Sequence, residues 1–289
     1  MKTLRLILGD QLNINHSWFS EVNPNVMYVM AEMRQETNYV KHHIQKVVAF
    51  FLSMRNFAQE LQAKGHEVVY FKISDATNLH DLEKIILNCI EKHQIKQFEY
   101  QLPDEYRLDE QLKNIRADLN INSRFFETEH FYTSRNELTN FFEGKKLLLM
   151  ESFYRMMRKK HDVLMYGMQP EGNQWNYDKD NRLKYKGQVP VPNAIIFKKN
   201  IKGVIEEIEK AGISTFGNID IASYSWPTSR KECLEQLDYF CEKLLLHFGD
   251  YEDASHSDEK FLFHSRLSFA MNSKMVSPKE VNDKVINYY

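Results

Sequence analysis

The feature that most constrains this chain is a rhythm. Over its first 145 residues, short apolar runs alternate with longer amphipathic stretches. LRLILG (4–9), VMYVMA (26–31), EVVYFKI (67–73), QFEYQL (97–102) and SRFFET (123–128) are β-branched or aromatic runs bounded by Gly, Asp, Asn or Pro, and they read as five strands. Helical periods lie between them. Tyr39–Lys64 carries Val40, Ile44, Val47, Val48, Phe51 and Leu52 on one stripe, and Leu79–His93 and Glu105–Leu119 follow. Strand–helix alternation requires parallel pairing through crossovers, so the expected fold is α/β: a Rossmann-like five-stranded parallel sheet flanked by helices, with strand one central.

In such a sheet, ligands bind beyond the carboxyl ends of the strands, near the point where the strand order reverses. That directs attention to Gly9-Asp10-Gln11, Glu32 to Glu36 and Pro103-Asp104-Glu105. Asp10, Gln11 and Glu36 offer hydrogen bonds to a heterocycle there, with Tyr39 and Phe50 supplying ring faces. A plainer reading stays open, in which Gly9 is a strand-end turn and Asp10 a helix cap. No GxGxxG follows the first strand and no GxxxxGK[ST] occurs, which disfavours a conventional dehydrogenase or P-loop ATPase. GDQLNINHSW likewise lacks the Gly-rich phosphate loop that an adenine α-hydrolase-type enzyme needs.

Charge divides the chain unevenly. From Gly144 to Lys202 there are thirteen Lys/Arg and five Asp/Glu, so this segment is +8 in a chain whose net charge is −2. Arg155, Arg158, Lys159 and Lys160 fall at helical spacing beside Tyr154, ahead of the loop PEGNQWNYDKDNR (170–182). Such a block suits a polyanion such as DNA, and equally a solvated linker. Pro190 and Pro192 mark an extended crossing. The resulting organisation is an α/β domain at 1–144, a basic linker at 145–205 and a helical segment at 206–289. The last contains a predicted helix over Ser229–Phe248, with a Ser229/Glu232 capping box, a stripe of Leu234, Leu237, Phe240, Leu244, Leu245 and Phe248, and Gly249 as its stop.

Cys89, Cys233 and Cys241 are too few and too scattered for a disulfide framework or a CxxC metal site, so they read as reduced packing residues, and no metal ligand is expected. The amino terminus has no signal-peptide core and no run approaches membrane-spanning length, which predicts a soluble, cytoplasmic protein with no membrane partner.

Three blocks carry a resemblance: LRLILGDQL with AEMRQETNYVKHHIQKVVAFFLSMRNFA (31–58), LLLMESFYRMMRKKHDVLMYGMQPEGNQWNYDKDNR (147–182), and FHSRLSFAMN (263–272). Together they resemble the photolyase/cryptochrome family, in its iron–sulfur-containing prokaryotic (6-4) photolyase branch. The resemblance implies a flavoprotein of light-dependent DNA repair, a carbon–carbon lyase using FAD and a 4Fe-4S cluster, with DNA as partner. It implies an antenna chromophore of ribityllumazine type in the first domain, near Asp10, Gln11, Glu36, Tyr39 and Phe50. It implies contacts to the flavin dinucleotide from Ser265, Leu267, Ser268 and Asn272, although a serine at a helix start also reads as a simple cap. Arg155, Arg158, Lys159 and Lys160 would face DNA.

Family members continue for roughly another domain, which encloses the flavin ring and supplies the cluster cysteines. The expectation is therefore an N-terminal portion, inactive alone, with no catalytic residue of its own and a C-terminal domain missing. The alternatives are a stand-alone chromophore-binding or light-sensing module and an inert fragment. The same reasoning predicts that residues 261–289 pack poorly, with Leu267, Met271, Val281, Val285 and Ile286 unpartnered.

Overall fold

The computed structural model describes residues 1–289. Its sheet comprises β1 (Thr3–Leu6), β2 (Val26–Ala31), β4 (Glu67–Phe71), β5 (Gln97–Gln101) and β6 (Asn122–Phe126), all parallel, in the order β4-β2-β1-β5-β6. β1 is central, as the alternation predicts. β2 and β5 flank it and are buried almost throughout, the signature of parallel strands covered on both faces. Edge strands β4 and β6 are only partly covered.

Between the strands lie α1 (Arg34–Asn38), α2 (Ile44–Ala63), α3 (Leu82–Lys92) and α4 (Tyr106–Asp118), with β3 (His42–His43) just ahead of α2. α3 starts at Asp81, whose carboxylate accepts from Lys84 N–H, and α4 starts at Glu105, which accepts from the Arg107 and Leu108 N–H groups. One face of the sheet packs Leu4, Leu6, Met27, Val29, Phe98 and Tyr100 against Ile85, Ile86, Leu108 and Leu112. At about 1.5–3 kcal/mol for each fully buried large side chain, this layer is the principal stabilising term of the domain.

The helix predicted from Tyr39 begins five residues later. His42 and His43 form β3 and pair with Thr215 and Phe216, so the chain is extended there, and Val40 is exposed. The partner of β3 lies 173 positions downstream, at Thr215–Phe216, which local periodicity does not register.

The chain divides into two compact units. Unit 1 comprises Met1–His130, Ile195–Glu235 and Leu267–Ser277; unit 2 comprises Phe131–Ala194, Gln236–Arg266 and Pro278–Tyr289. Residues 145–194 of the basic segment thus belong to unit 2 and 195–205 to unit 1. Unit 2 contains helices Arg135–Phe142, Met150–His161 and Pro278–Tyr288, and a short antiparallel pair, Met165–Tyr166 with Gln169–Pro170.

The helix expected over Ser229–Phe248 runs as Arg230–Tyr239, a π-helical turn at Phe240–Leu244, and Leu245–Tyr251. Gly249 does not stop it. The π turn adds a residue to the repeat, so Leu237, Phe240 and Leu244 are buried while Leu245 and Phe248 are only partly so. The capping box is half formed: Glu232 N–H donates to Ser229 Oγ at 3.3 Å, but the Glu232 carboxylate accepts from Thr228 N–H and pairs with Lys199. An available lysine outcompetes the reciprocal cap.

The expectation that 261–289 packs poorly is corrected for its first half. Leu262, Phe263, Leu267, Ala270, Met275 and Val276 are all buried. Within unit 1, Phe269 meets Phe50 edge-on and Leu12 N–H donates to the Ser273 carbonyl; within unit 2, Phe263 stacks on Tyr251. These partners come from this chain's own distant segments. By contrast, the helix Pro278–Tyr288 buries none of its residues, and Val281, Val285 and Ile286 are half-covered.

Candidate functional site

A cavity of about 240 Å³ opens at the carboxyl ends of the strands, lined entirely by residues between Leu6 and Leu108 of unit 1. Its floor is apolar: Leu6, Leu8, Val29, Val47, Phe51, Met54 and Ile85. The rim is charged. Asp10 comes from the turn after β1, Glu36 and Tyr39 from α1 and its end, Phe50 and Lys46 from α2, and Asp104, Glu105 and Arg107 from the turn after β5 and the start of α4. Parallel pairing sets all these turns on one edge of the sheet, which is why residues far apart in sequence converge.

Asp10, Glu36, Tyr39 and Phe50, singled out in the sequence, are thus brought together, and Glu105 shares their rim. Gln11 is not among the lining residues. It is buried, its Oε1 accepting from Leu8 N–H at 3.0 Å and its Nε2 donating to the Gln101 carbonyl at 3.2 Å. Its amide braces the β1 and β5 turns and is unavailable to a ligand.

Two side chains that the sequence reading did not single out organise the rim. The Arg107 guanidinium lies 3.0 Å from Glu36 Oε2, 3.4 Å from Glu105 Oε2 and 4.7 Å from the centre of the Tyr39 ring. Burial disfavours the Arg107 charge, but the hydrogen bond and charge of Glu36, together with the charge of Glu105, jointly outweigh it and hold the guanidinium pKa above its ordinary value. Lys274 is the other. With 2% of its side chain exposed, its Nζ lies 2.9 Å from Asp10 Oδ2, 3.1 Å from the Asp10 carbonyl and 2.7 Å from Asp104 Oδ2. Three ammonium donors meet three acceptors. Arg107 had a faint signal in E-x-R at a helix start; Lys274 had none.

His42 also lines the cavity. Burial first, then Lys46, lower its pKa, so the ring is neutral near pH 7. At the back wall, Glu32 is fully buried and fully partnered. Arg55 Nε and Nη2 (2.6 and 2.9 Å), Tyr70 Oη (2.7 Å) and Ile73 N–H (2.8 Å) all donate to its carboxylate, and Arg55 also pairs with Glu207. This carboxylate is structural.

The remaining predicted residues lie elsewhere. Arg155, Arg158, Lys159 and Lys160 are on the helix Met150–His161 of unit 2. Arg155, Lys159 and Arg158 sit 5.1, 5.3 and 5.6 Å from the centre of the Trp175 ring. Arg158 is buried and donates to the Val163 and Leu164 carbonyls, closing the turn after its helix; Lys160 pairs with Glu137. Ser265 belongs to unit 2, and Leu267, Ser268 and Asn272 to unit 1. Leu267 is buried, Ser268 is exposed at the first turn of a five-residue helix, and Asn272 is exposed at its end. Cys89, Cys233 and Cys241 are free and buried, with burial pushing the Cys233 thiol up to about 12. No group of three or more His, Cys, Asp or Glu side chains converges in a metal-holding arrangement. No helix is long and apolar enough to cross a membrane.

A five-stranded parallel sheet with a charged-rim, apolar-floored cavity at its carboxyl edge defines a Rossmann-like α/β protein. More narrowly, the chain belongs to the deoxyribodipyrimidine photo-lyase-related protein family, whose model matches residues 5–224. It is 31% identical over 284 residues to a (6-4) photolyase of Agrobacterium fabrum (strain C58 / ATCC 33970), covering 97% of this chain and 56% of that protein. An uncharacterized protein of Acanthamoeba polyphaga mimivirus, R852, is 22% identical over 196 residues, covering 63% of this chain and 94% of that one. In fold, the chain is similar to a bacterial class III photolyase from Agrobacterium tumefaciens, with a TM-score of 0.53 and 11% identity, covering 97% of this chain and 52% of that one. The chain spans about half the length of both photolyases.

Proposed function

We propose that this chain acts within a photolyase-related flavoprotein of light-dependent DNA repair, and that its own contribution is to bind a flat, light-absorbing heterocycle of ribityllumazine type in the carboxyl-edge cavity. The observation that carries this reading is the convergence of Asp10, Glu36, Tyr39 and Phe50 on one cavity with an apolar floor. An apolar cleft with a few directed polar groups is the usual form of a small-molecule site. The bound heterocycle would supply light absorption. Glu36, fixed by Arg107, would accept a ring N–H, Tyr39 and Phe50 would offer ring faces, and Met54 and Phe51 would exclude water.

Fluorescence titration with 6,7-dimethyl-8-ribityllumazine tests this. Glu36→Ala is expected to weaken binding by about 1.5–3 kcal/mol, the worth of a charge-assisted hydrogen bond. Unchanged affinity would remove Glu36 from the site.

In this reading residues 1–144 form the antenna-type domain, 145–205 the basic linker and 206–289 the start of a flavin domain. Ser265, Leu267, Ser268 and Asn272 would contact FAD, and Arg155, Arg158, Lys159 and Lys160 would face DNA, with Arg158 supporting the helix end from within. Gel filtration with FAD tests the first assignment: this chain, which spans about half the length of the photolyases it matches, is expected to retain no FAD by itself, and stoichiometric retention at the Ser265 turn would overturn the view that it is catalytically incomplete. A salt-dependent DNA affinity reduced by Lys159→Ala tests the second.

A second reading, a chromophore-binding module that works without catalysis, is favoured by one fact: every residue that lines the cavity lies within residues 6–108. Chromophore uptake with no DNA binding would select it.

A further inference from the structure

The strand order reverses between β1 and β5: the chain steps outward through β2 and β4, then returns to add β5 and β6 on the other side of β1. In this fold class the crevice at the reversal commonly receives an anionic phosphate, held by backbone amides at a helix start. Here the crevice holds the opposite charge. Asp10 ends the turn after β1, Asp104 ends the turn after β5, and the Lys274 ammonium is held between them.

The amides that would cradle a phosphate are also taken or missing. The turn after β1 leads into no helix before the three-residue Ser17–Phe19. At the start of α4, the Arg107 and Leu108 N–H groups already donate to Glu105, at 2.9 and 3.0 Å. Five carboxylates line the cavity: Asp10, Glu32, Glu36, Asp104 and Glu105. Against them stand Arg107 and Lys46 in the lining, with Lys274 and Arg55 paired to the carboxylates from behind and Arg55 shared with Glu207, so negative charge is in excess. Lys46, the cation with no carboxylate partner, is exposed and screened by solvent.

We propose that the Asp10–Lys274–Asp104 triad makes this cavity selective for an uncharged, unphosphorylated heterocycle, with Lys274 as a positioning residue that closes the switch-point crevice against phosphate. The inference rests on the heterocycle reading above and adds to it the class of ligand refused. Lys274 orients both aspartates toward itself and neutralises one of them. The remaining negative charge repels a phosphorylated ligand, while the hydroxyls of a neutral polyol chain can donate to the same carboxylates.

Riboflavin and riboflavin 5′-phosphate form a matched probe pair, differing only in the phosphate. Titrations of the full chain at low ionic strength, followed by flavin fluorescence, are expected to show riboflavin binding about tenfold tighter, the effect of the phosphate's added negative charge near a partly buried carboxylate pair. Asp104→Asn, which reduces the excess charge, is expected to narrow that ratio to about threefold or less. Lys274→Met, which adds to it, is expected to widen the ratio. A purely structural role for Lys274 would not drive the two variants in opposite directions. Asp10→Asn provides the same expectation as Asp104→Asn should Lys274→Met fail to fold. Equal binding of the two probes by the unmodified chain, or a ratio moved in the same direction by opposite charge changes, would overturn the selectivity while leaving the heterocycle reading intact. Failure of both probes to bind would overturn both.

Discussion

The Lys274 ammonium lies 2.9 Å from Asp10 Oδ2, although 264 positions separate the two residues. This ion pair ties the segment Leu267–Ser277 to the turn after the central strand, both within unit 1. Replacing Lys274 by Met removes the counter-charge of two aspartates that each keep about a third of their side chain exposed. Their partial hydration moderates the cost, which we expect to be about 2 kcal/mol, at the lower side of broken buried pairs. A urea-denaturation midpoint equal to that of the unmodified chain would contradict this.

Glu32→Gln is expected to cost more, about 3 kcal/mol, since the carboxylate is fully buried and Arg55 is left with Glu207 as its one remaining anionic partner. The same variant tests the wall of the cavity. Weakened heterocycle binding should accompany the lower denaturation midpoint, because the glutamine amide keeps one acceptor oxygen and puts a donor in place of the other, so Ile73 N–H and Tyr70 Oη cannot both keep the acceptor that holds the β2 and β4 ends together.

Acid sensitivity should be traceable to His16. Its ring is buried, Nδ1 accepts from Trp18 N–H at 3.0 Å, and Nε2 lies 2.9 Å from the Glu127 carbonyl, so the neutral ring with its proton on Nε2 satisfies both. Burial, opposed by the Glu127 carbonyl and by Glu129, lowers its pKa below 6.5. The unfolded chain therefore takes up a proton that the folded ring resists. Stability from this residue is present above 6.5 and is lost as the pH falls through the interval beneath it. His42, His66 and His80 act with the same sign. Denaturation midpoints measured at about pH 7.5 and about pH 5.5 should fall on acidification, and His16→Asn should lose less between the two pH values than the unmodified chain. An equal loss would remove His16 as a source.

Gly217→Ala is expected to destabilise by about 1–3 kcal/mol for two reasons that act together. The residue sits at φ +74, where a side chain is strained, and a Cβ there would overlap the His43 ring, which no small rotation clears. Since β3 pairs with Thr215–Phe216, the variant should also disturb the neighbouring His42 and the mouth of the cavity. A thermal midpoint unchanged from the parent would show that the Thr215–Gly217 turn shifts freely.

Local pattern determined much of this protein. The five strands, their parallel pairing and the central place of β1 follow from apolar runs alternating with helical periods, because a period of two and a period of 3.6 bury different residue spacings. The carboxyl-edge location of the cavity, and the arrival there of Asp10, Glu36, Tyr39, Phe50 and Glu105, follow from the same parallel topology. What local pattern does not carry is pairing between distant segments. Tyr39 begins no long helix, because His42 and His43 find a strand partner at Thr215–Phe216. Gln11 turns inward, because the Gln101 carbonyl lies within reach. Lys274 occupies the switch point although its neighbours, Ser273 and Met275, read as ordinary helix-end residues. Each of these depends on burial and on the distance between groups brought together by folding, and a buried charge is stable only where its counter-charge is already positioned. The positions of Lys274 between two aspartates and of Arg107 on Tyr39 are therefore properties of the tertiary structure alone.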